Sequence, residues 1–186
     1  MTNYLKTFIK DKNVASVAPT SEGVVKTVCE SIDFTKDLVI FEYGPGNGVF
    51  THYLLEKLNA NSTVILIETN EEFVTILKKI RDKRVSVFLE SAENVGRITS
   101  EAGVDKADYI ISGIPFSFLK ARVKDKILLE SRKLLKTDGV FLAYQTSSHL
   151  EKPLQKHFKD VTTRFKYLNI PPMCLYKAEG VKTESS

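Results

Sequence analysis

The sequence predicts an α/β protein with a doubly wound, mostly parallel sheet and an antiparallel hairpin at its carboxy-terminal end. Between residues 37 and 145, short apolar runs alternate with amphipathic stretches, which is typical of strands joined by helices that cover both faces of a parallel sheet. A glycine-rich turn follows the first apolar run, as at ligand-binding strand ends. The last two apolar runs are separated only by Asn169-Ile170-Pro171-Pro172, which is too short for a parallel crossover.

Length and composition favour one globular domain. The chain has 186 residues, of which 42% are hydrophobic, and a formal net charge of +4 that permits an anionic partner without selecting one. Cys29 and Cys174 lie far apart and form no metal-ligand spacing, so we predict two ordinary thiols and no metal. The chain has neither a run of about 20 apolar residues nor a signal peptide, so we expect a cytoplasmic protein. Within it we assign amino-terminal helices to 1–36, the sheet domain to 37–178 and a polar, flexible tail to 179–186.

The amino-terminal segment 3–12 has two interpretations. It places Leu5, Phe8 and Ile9 on one helical face, with lysines beside and opposite them. Such a helix can lie in a lipid headgroup region with its lysines against anionic lipid, or it can pack on the domain. The segment alone does not choose between the two.

The rest of the chain is predicted to contain one covering helix, an alternation of strands and helices, and a closing hairpin. Thr20 or Ser21 is a candidate cap for a helix over 22–31 that covers the sheet with its valines inward. Strands are predicted over 38–43, 63–68, 85–89, 109–112 and 140–144, and helices over 49–58, 71–80, 92–101, 121–135 and 150–158. The hairpin strands are predicted over 161–168 and 173–177, with the polar tail from Glu179 onward.

The turn Glu42-Tyr43-Gly44-Pro45-Gly46-Asn47-Gly48 is the strongest candidate for a ligand site. Its glycines permit positive φ angles and a close approach of the backbone to a ligand. A second acid, Glu68, ends the next strand about twenty residues later, where a carboxylate can accept both hydroxyls of a ribose. Taken separately, the turn could be purely structural and Glu68 could cap the following helix.

Dinucleotides and S-adenosylmethionine are the two cofactor classes that this pattern suits. Glu42 precedes the turn, and its negative charge would repel a pyrophosphate and attract a cationic amino acid or sulfonium. We therefore favour S-adenosylmethionine.

At this point the residues resemble the class I methyltransferase family, whose first motif is an acid followed by Gly-x-Gly-x-Gly. The resemblance implies a Rossmann-like sheet, Gly44, Gly46 and Gly48 around the methionine part of the cofactor, and Glu68 on its ribose. The family's third motif would fall on Glu90-Ser91-Ala92, with Ser91 and Ala92 beside the adenine. Ser91 replaces the usual acid there, so backbone atoms or Glu93 would have to supply the adenine contact.

The fourth strand ends in Ser112-Gly113-Ile114-Pro115-Phe116, where such folds present the methyl group to its acceptor. Adenine N6-methylating enzymes carry Asn-Leu-Pro-Tyr or a similar tetrapeptide there, and Gly113 takes the place of that Asn. The chain also lacks the helical carboxy-terminal domain of ribosomal RNA dimethylases. Both differences count against an RNA substrate.

A closer resemblance, over nearly the whole chain, is to the bacterial phosphatidylethanolamine N-methyltransferases, which share their core with the RNA dimethylases. Four motifs carry it: Val17-Ala18-Pro19-Thr20-Ser21, the Glu-Tyr-Gly-Pro-Gly-Asn-Gly-Val-Phe-Thr run at 42–51, Ser-Gly-Ile-Pro-Phe at 112–116 and Asn-Ile-Pro-Pro at 169–172. The resemblance implies methyl transfer to a phospholipid amine and peripheral attachment to the inner membrane face through residues 3–12. In it, residues 114–116 form an apolar wall beside the methyl group. Alternatives are an RNA adenine or small-molecule methyltransferase and a non-catalytic protein that binds S-adenosylmethionine.

Two further features remain open at the level of sequence. In the segment 120–136, seven cations outnumber two acids, which favours a solvated helix face but also suits anionic lipid or RNA. Tyr144 is either a surface residue or, because it ends a predicted strand, a candidate aromatic residue of the pocket.

Overall fold

The computed structural model describes residues 21–166 and 171–181. Six α-helices lie within these residues: α1 (Glu22–Cys29), α2 (Val49–Lys57), α3 (Glu71–Leu77), α4 (Val95–Ala102), α5 (Ala121–Leu134) and α6 (Glu151–His157). The strands described are β1 (Val39–Tyr43), β2 (Thr63–Glu68), β3 (Val85–Leu89), β4 (Ala107–Ser112), β5 (Leu135–Gln145), β6 (Phe158–Lys166) and β7 (Met173–Val181). Short 3-10 turns occupy Ala92–Asn94 and Phe116–Phe118.

The seven strands form one sheet in the order β3-β2-β1-β4-β5-β7-β6. Strands β1 to β5 pair in parallel, whereas β7 runs antiparallel to both β5 and β6. This arrangement confirms the predicted fold class and the closing antiparallel pair. The chain moves outward from β1 to β2 and β3 and then returns to β4 on the other side of β1, so a crevice opens at the carboxyl ends of β1 and β4.

Alternating strand residues supply a core on each face of the sheet. On one face, Val24 and Val25 of α1 pack with Ile40 of β1 and with α2 residues. On the other face, Phe41 and Tyr43 of β1 pack with residues of α4, α5 and α6. Because β1 is covered on both faces, all but its first residue are buried.

The carboxy-terminal half differs from the prediction in its boundaries. β5 begins at Leu135, directly after α5, because Leu135 already pairs with Ala107 of β4. β7 continues to Val181, and Glu179 pairs with both Val140 and Asp160. Glu179 and Gly180 therefore belong to the sheet rather than to a tail, because strands pair with Glu179 on both sides despite its polar side chain, and Gly180 follows it within β7.

The predicted helix over 92–101 is divided into the 3-10 turn and α4. Ser21 caps α1, since its side chain accepts a hydrogen bond from Val24 N at 3.4 Å, as the sequence suggested. The predicted segment 3–12 and the Asn169-Ile170 part of the hairpin connection lie outside the described residues. Across the described part of the chain, none of the helices has the length and apolar character needed to span a membrane.

Candidate cofactor and acceptor site

The glycine turn after β1 has the backbone conformation that its sequence predicts. Gly44, Gly46 and Gly48 have φ angles of +65°, +57° and +84°, in the left-handed region that favours glycine. Gly44 N donates to Ile67 O at 2.9 Å, which fixes the turn against the end of β2. A Cβ added at Gly46 would have no heavy atom within 4 Å. The turn is therefore held at its base and open at its tip.

Glu68 turns its carboxylate toward this turn. Its Oε2 accepts a hydrogen bond from Gly46 N at 3.1 Å, and its Oε1 accepts from Thr69 N and Asn70 N at 2.7 and 2.9 Å. Helix α3 is capped instead by Asn70, whose side chain accepts from Glu72 N at 2.8 Å. The helix-cap alternative for Glu68 is therefore wrong, and the acid lies 7% exposed beside the turn.

Glu42 is a buried acid with an unsatisfied oxygen. Its Oε2 accepts a hydrogen bond from Thr51 Oγ1 at 2.7 Å. Its Oε1, in contrast, is the one buried side-chain nitrogen or oxygen of residues 21–166 and 171–181 without a hydrogen-bond partner. Burial raises the pKa of Glu42 to about 7, the Thr51 bond opposes this rise, and nearby Glu68 adds to it. The fixed negative charge assumed from the sequence is thus only partly present at neutral pH.

A cationic group is what this buried acid would accommodate. An orphaned carboxylate oxygen is costly unless a ligand or a proton satisfies it. The glycine turn above it and the carboxylate of Glu68 beside it supply backbone amides and a second acid. This donor set fits the ammonium and ribose groups of S-adenosylmethionine.

Cys29 of α1 lies close enough to Glu42 for their charges to interact. Burial raises the pKa of its thiol to about 12, and the Glu42 charge adds to the rise. Cys29 and Cys174 are both free and buried, in agreement with the prediction of ordinary thiols.

Ser91 and Ala92 lie at the end of β3, next to β2. Glu90 N donates to Glu68 O at 3.0 Å, which ties this segment to the cofactor acid. The Ser91 hydroxyl accepts from Glu93 N at 3.3 Å and so caps the 3-10 turn. Ala92 is buried in the core. The adenine contact of these two residues stays a prediction.

The acceptor segment lies directly beside the glycine turn. Gly113 N donates to Tyr43 O at 2.9 Å, and Ile114 Cγ1 is 3.4 Å from the position of a Cβ on Gly44. The hydroxyl of fully buried Ser112 accepts from Ile114 N at 3.3 Å and holds the segment in its bend. Pro115 precedes the 3-10 turn that completes the segment.

Phe116, which the sequence placed in the apolar wall beside the methyl group, is turned into the core of the protein. Its ring is fully buried and packs edge-on against Phe141, with ring centroids 6.4 Å apart. Its backbone N donates to Gln145 Oε1 at 3.1 Å. The 3-10 turn rotates Phe116 into the core, and Phe118 is the phenylalanine left exposed, at 62%.

The sequence named Tyr144 as a pocket aromatic but missed its neighbours. The ring stacks on Phe50 of α2 at a centroid distance of 4.6 Å and an interplanar angle of 19°. Its hydroxyl lies 2.5 Å from where a Cβ on Gly113 would be. Because Phe50, Gly113 and Tyr144 lie far apart in the sequence, only its place at a strand end marked the tyrosine.

Residues 34–184 match the family model of the methyltransferase domain. The chain belongs to this family. The protein is therefore an enzyme that uses S-adenosylmethionine as the methyl donor, as we predicted from the glycine turn and its two acids.

Known relatives fit this assignment. The protein is 24% identical over 172 residues to an ornithine lipid N-methyltransferase of Singulisphaera acidiphila. The aligned region covers 91% of this chain and 90% of the relative. A Burkholderia thailandensis 1,6-didemethyltoxoflavin-N1-methyltransferase structure with bound 1,6-didemethyltoxoflavin and S-adenosylhomocysteine has a TM-score of 0.71 at 15% identity, covering 97% of this chain and 86% of that one. Human methyltransferase-like protein 13 in complex with SAH gives a TM-score of 0.61 at 12% identity, with coverages of 82% and 76%. The two structures share the fold.

Proposed function

We propose that the protein transfers methyl groups from S-adenosylmethionine to the primary amine of a membrane lipid, with a phosphatidylethanolamine-type headgroup as the preferred substrate. The observation that carries the acceptor class is the match to a lipid N-methyltransferase over nine tenths of both chains. The motifs at 17–21, 112–116 and 169–172 support the phospholipid headgroup.

We assign the cofactor site to the glycine turn and the two acids beside it. The backbone of Gly44, Gly46 and Gly48 borders the methionine part, Glu42 faces its ammonium group, and Glu68 binds the ribose. When bound, the cofactor supplies a methyl group on a positively charged sulfur, from which an amine can take it directly. The protein's contribution is to position both partners and keep water away.

Ile114 and Pro115 form the apolar side of the acceptor site in this proposal. Ile114 lies against Gly44, so an amine that reaches Gly113 is next to the cofactor turn. Gly113 offers no polar side chain to hold a planar base, which favours an alkyl amine as the acceptor in this proposal. The amine must be neutral when it reacts, because only its lone pair can form the new bond.

The edge beside the acceptor segment suits a membrane surface. Phe118 is exposed, and α5 starts three residues later with Arg122, Lys124 and Lys126. Among the described residues, none of these three cations has a carboxylate within the 4.0 Å of an ion pair, whereas Lys133 pairs with Glu130 and Lys136 with Asp108. We propose that this edge, with residues 3–12, holds a cytoplasmic enzyme against the anionic inner membrane face.

The test uses purified protein, methyl-labelled S-adenosylmethionine and vesicles of phosphatidylcholine with phosphatidylethanolamine, with ornithine lipid, or with neither. We expect label in phosphatidylethanolamine after lipid chromatography, none with Gly46→Arg, and less when residues 1–12 are removed. Absence of label from every lipid, together with label in RNA or a small amine, would reject the lipid substrate.

Ornithine lipid is the second candidate acceptor, favoured by the name of the relative. It presents a primary amine on an amino-acid headgroup without phosphate, so the same vesicles separate the two lipids. A protein that binds the cofactor in calorimetry but labels no lipid, RNA or small amine would instead be the non-catalytic alternative.

A further inference from the structure

We propose that Tyr144 is an acceptor-site residue whose hydroxyl contacts the reacting amine, supplying the polar group that Gly113 lacks. This proposal rests on amine methylation as the proposed function and names the residue that orients the amine.

The first observation is the space around Gly113. A Cβ at this position would lie 2.5 Å from Tyr144 Oη, 3.0 Å from Tyr144 Cζ and 3.0 Å from the carbonyl oxygen of Gly44. Real Cβ atoms do not approach a neighbour as closely as 2.5 Å. The hydroxyl of Tyr144 therefore occupies the place where a side chain of residue 113 would begin.

The second observation is how firmly the ring is held. Tyr144 stacks on Phe50, the second residue of α2, and only 9% of the tyrosine is exposed. α2 begins directly after the glycine turn, with Gly48 as its cap. The stack thus ties the position of the hydroxyl to the element that carries the cofactor.

The third observation is where the hydroxyl lies along the sheet. Ala143 pairs with Ser112, so Tyr144 is level with the first residue beyond β4. The hydroxyl lies against Gly113, whose own Cβ position is 3.0 Å from Gly44 O, so it adjoins the acceptor segment where that segment meets the cofactor turn. A group there can reach both the bound amine and the methyl that it receives.

The chemistry of a phenol suits this position. Its oxygen can accept a hydrogen bond from an amine N–H, which leaves the nitrogen lone pair to point in another direction. The contact orients the nucleophile, and Tyr144 takes no proton from it. With glycine at 113, this hydroxyl is the polar side-chain group nearest to the Cβ position of that residue.

The test compares Tyr144→Phe with the wild type in the methylation assay. The variant keeps the ring and its stack on Phe50 and removes only the hydroxyl. We expect kcat/KM for the amine to fall about 10- to 100-fold, the range for one lost hydrogen bond to a polar or charged group. The cofactor dissociation constant should stay within about two-fold, and Tm within about 2 °C.

Tyr109→Phe is the matched control. It also removes one phenol oxygen, which in β4 donates to Ser31 O at 3.2 Å, near the amino end of the strand. We expect its kcat/KM to equal that of the wild type.

The outcomes separate this proposal from the proposed function. Wild-type kinetics in Tyr144→Phe, or an equal loss of cofactor affinity, would overturn the role of Tyr144. If the wild type labels a different amine, the lipid assignment fails and Tyr144 is judged on that amine. If the wild type labels no amine at all, both proposals fail.

Discussion

The proposed cofactor side and the proposed acceptor side of the crevice are built in different ways. On the cofactor side, the glycine turn at 44–48 and Glu68 follow two neighbouring strands, and Glu68 bonds directly to the turn. On the acceptor side, Gly113 meets Tyr144, which comes from the next strand and is held by Phe50 of α2. The first site is made of backbone and acids at strand ends, and the second is made of side chains brought together by packing.

The difference explains which side of the site sequence motifs can identify. A positive φ angle requires glycine wherever it occurs, so the turn leaves a mark in the sequence. A tyrosine hydroxyl that fills the space beside a glycine leaves no motif of this kind, and only the strand-end position of Tyr144 indicated it. Variants confined to one side of the crevice should therefore have separable effects on cofactor binding and on use of the acceptor.

Gly46→Arg should have the largest effect. Its φ of +57° costs a side chain about 1–2 kcal/mol, and the arginine would extend over the open tip of the turn. We expect cofactor binding to fall below the range of calorimetry. Gly103→Arg is the matched control, because its φ is +66° and its Cβ would also meet nothing within 4 Å, but it follows α4. Equal binding by the two variants would contradict this placement of the cofactor.

Glu42→Gln should change the pH dependence of stability. Because burial raises the pKa of Glu42 from 4.5 to about 7, the folded protein holds a proton that the unfolded chain releases above 4.5. The free energy of unfolding of the wild type should therefore fall by roughly 3 kcal/mol as the pH rises from about 4.5 to 7. Urea unfolding from pH 5 to 8 measures this loss.

The glutamine variant should lack that decrease and be more stable than the wild type at pH 8. The titratable groups whose charges act on Glu42 or respond to it are Glu68 and Cys29. The raised pKa of Cys29 keeps its thiol neutral throughout this range. Parallel pH curves for the two proteins would contradict the assignment of the effect to Glu42.

Glu68→Gln should weaken cofactor binding by about 10- to 100-fold, since one hydrogen bond to a charged acceptor contributes about 1.5–3 kcal/mol. Calorimetry measures the dissociation constant, and KM for the amine should change little because Glu68 lies on the cofactor side. The control is Glu72→Gln, because Glu72 is an exposed residue of α3, and we expect this variant to bind the cofactor as the wild type does. A larger change in the amine KM than in cofactor binding would show that the two sides are not separable.

Phe118→Ala should have the smallest effect, confined to the edge that we propose as the membrane contact. Partial burial of this ring in lipid would contribute about 1 kcal/mol, so binding to anionic vesicles should weaken about five-fold. Cofactor affinity should not change. Phe165→Ala is the matched control, because Phe165 is also half exposed, at 51%, but lies on the edge strand β6. Vesicle binding equal to the wild type in Phe118→Ala would argue against this edge as the contact surface.

Four features follow from the amino-acid sequence alone: the alternation of strands and helices, the antiparallel closing pair, the glycine turn and the two acids around it. These features are local, because apolar periodicity and φ angles depend on residues that lie close together in the chain. The cap of α1, for which Thr20 and Ser21 were the candidates, was also predictable for this reason.

The meeting of side chains across the sheet depends on the folded structure. Folding turned Phe116 into the core, left Phe118 exposed, and continued β7 through Glu179 because strands on both sides pair with it. It also buried one Glu42 oxygen without a partner and placed the Tyr144 hydroxyl against Gly113. Burial and packing depend on the approach of elements distant in the chain, which a single sequence does not encode as a local pattern.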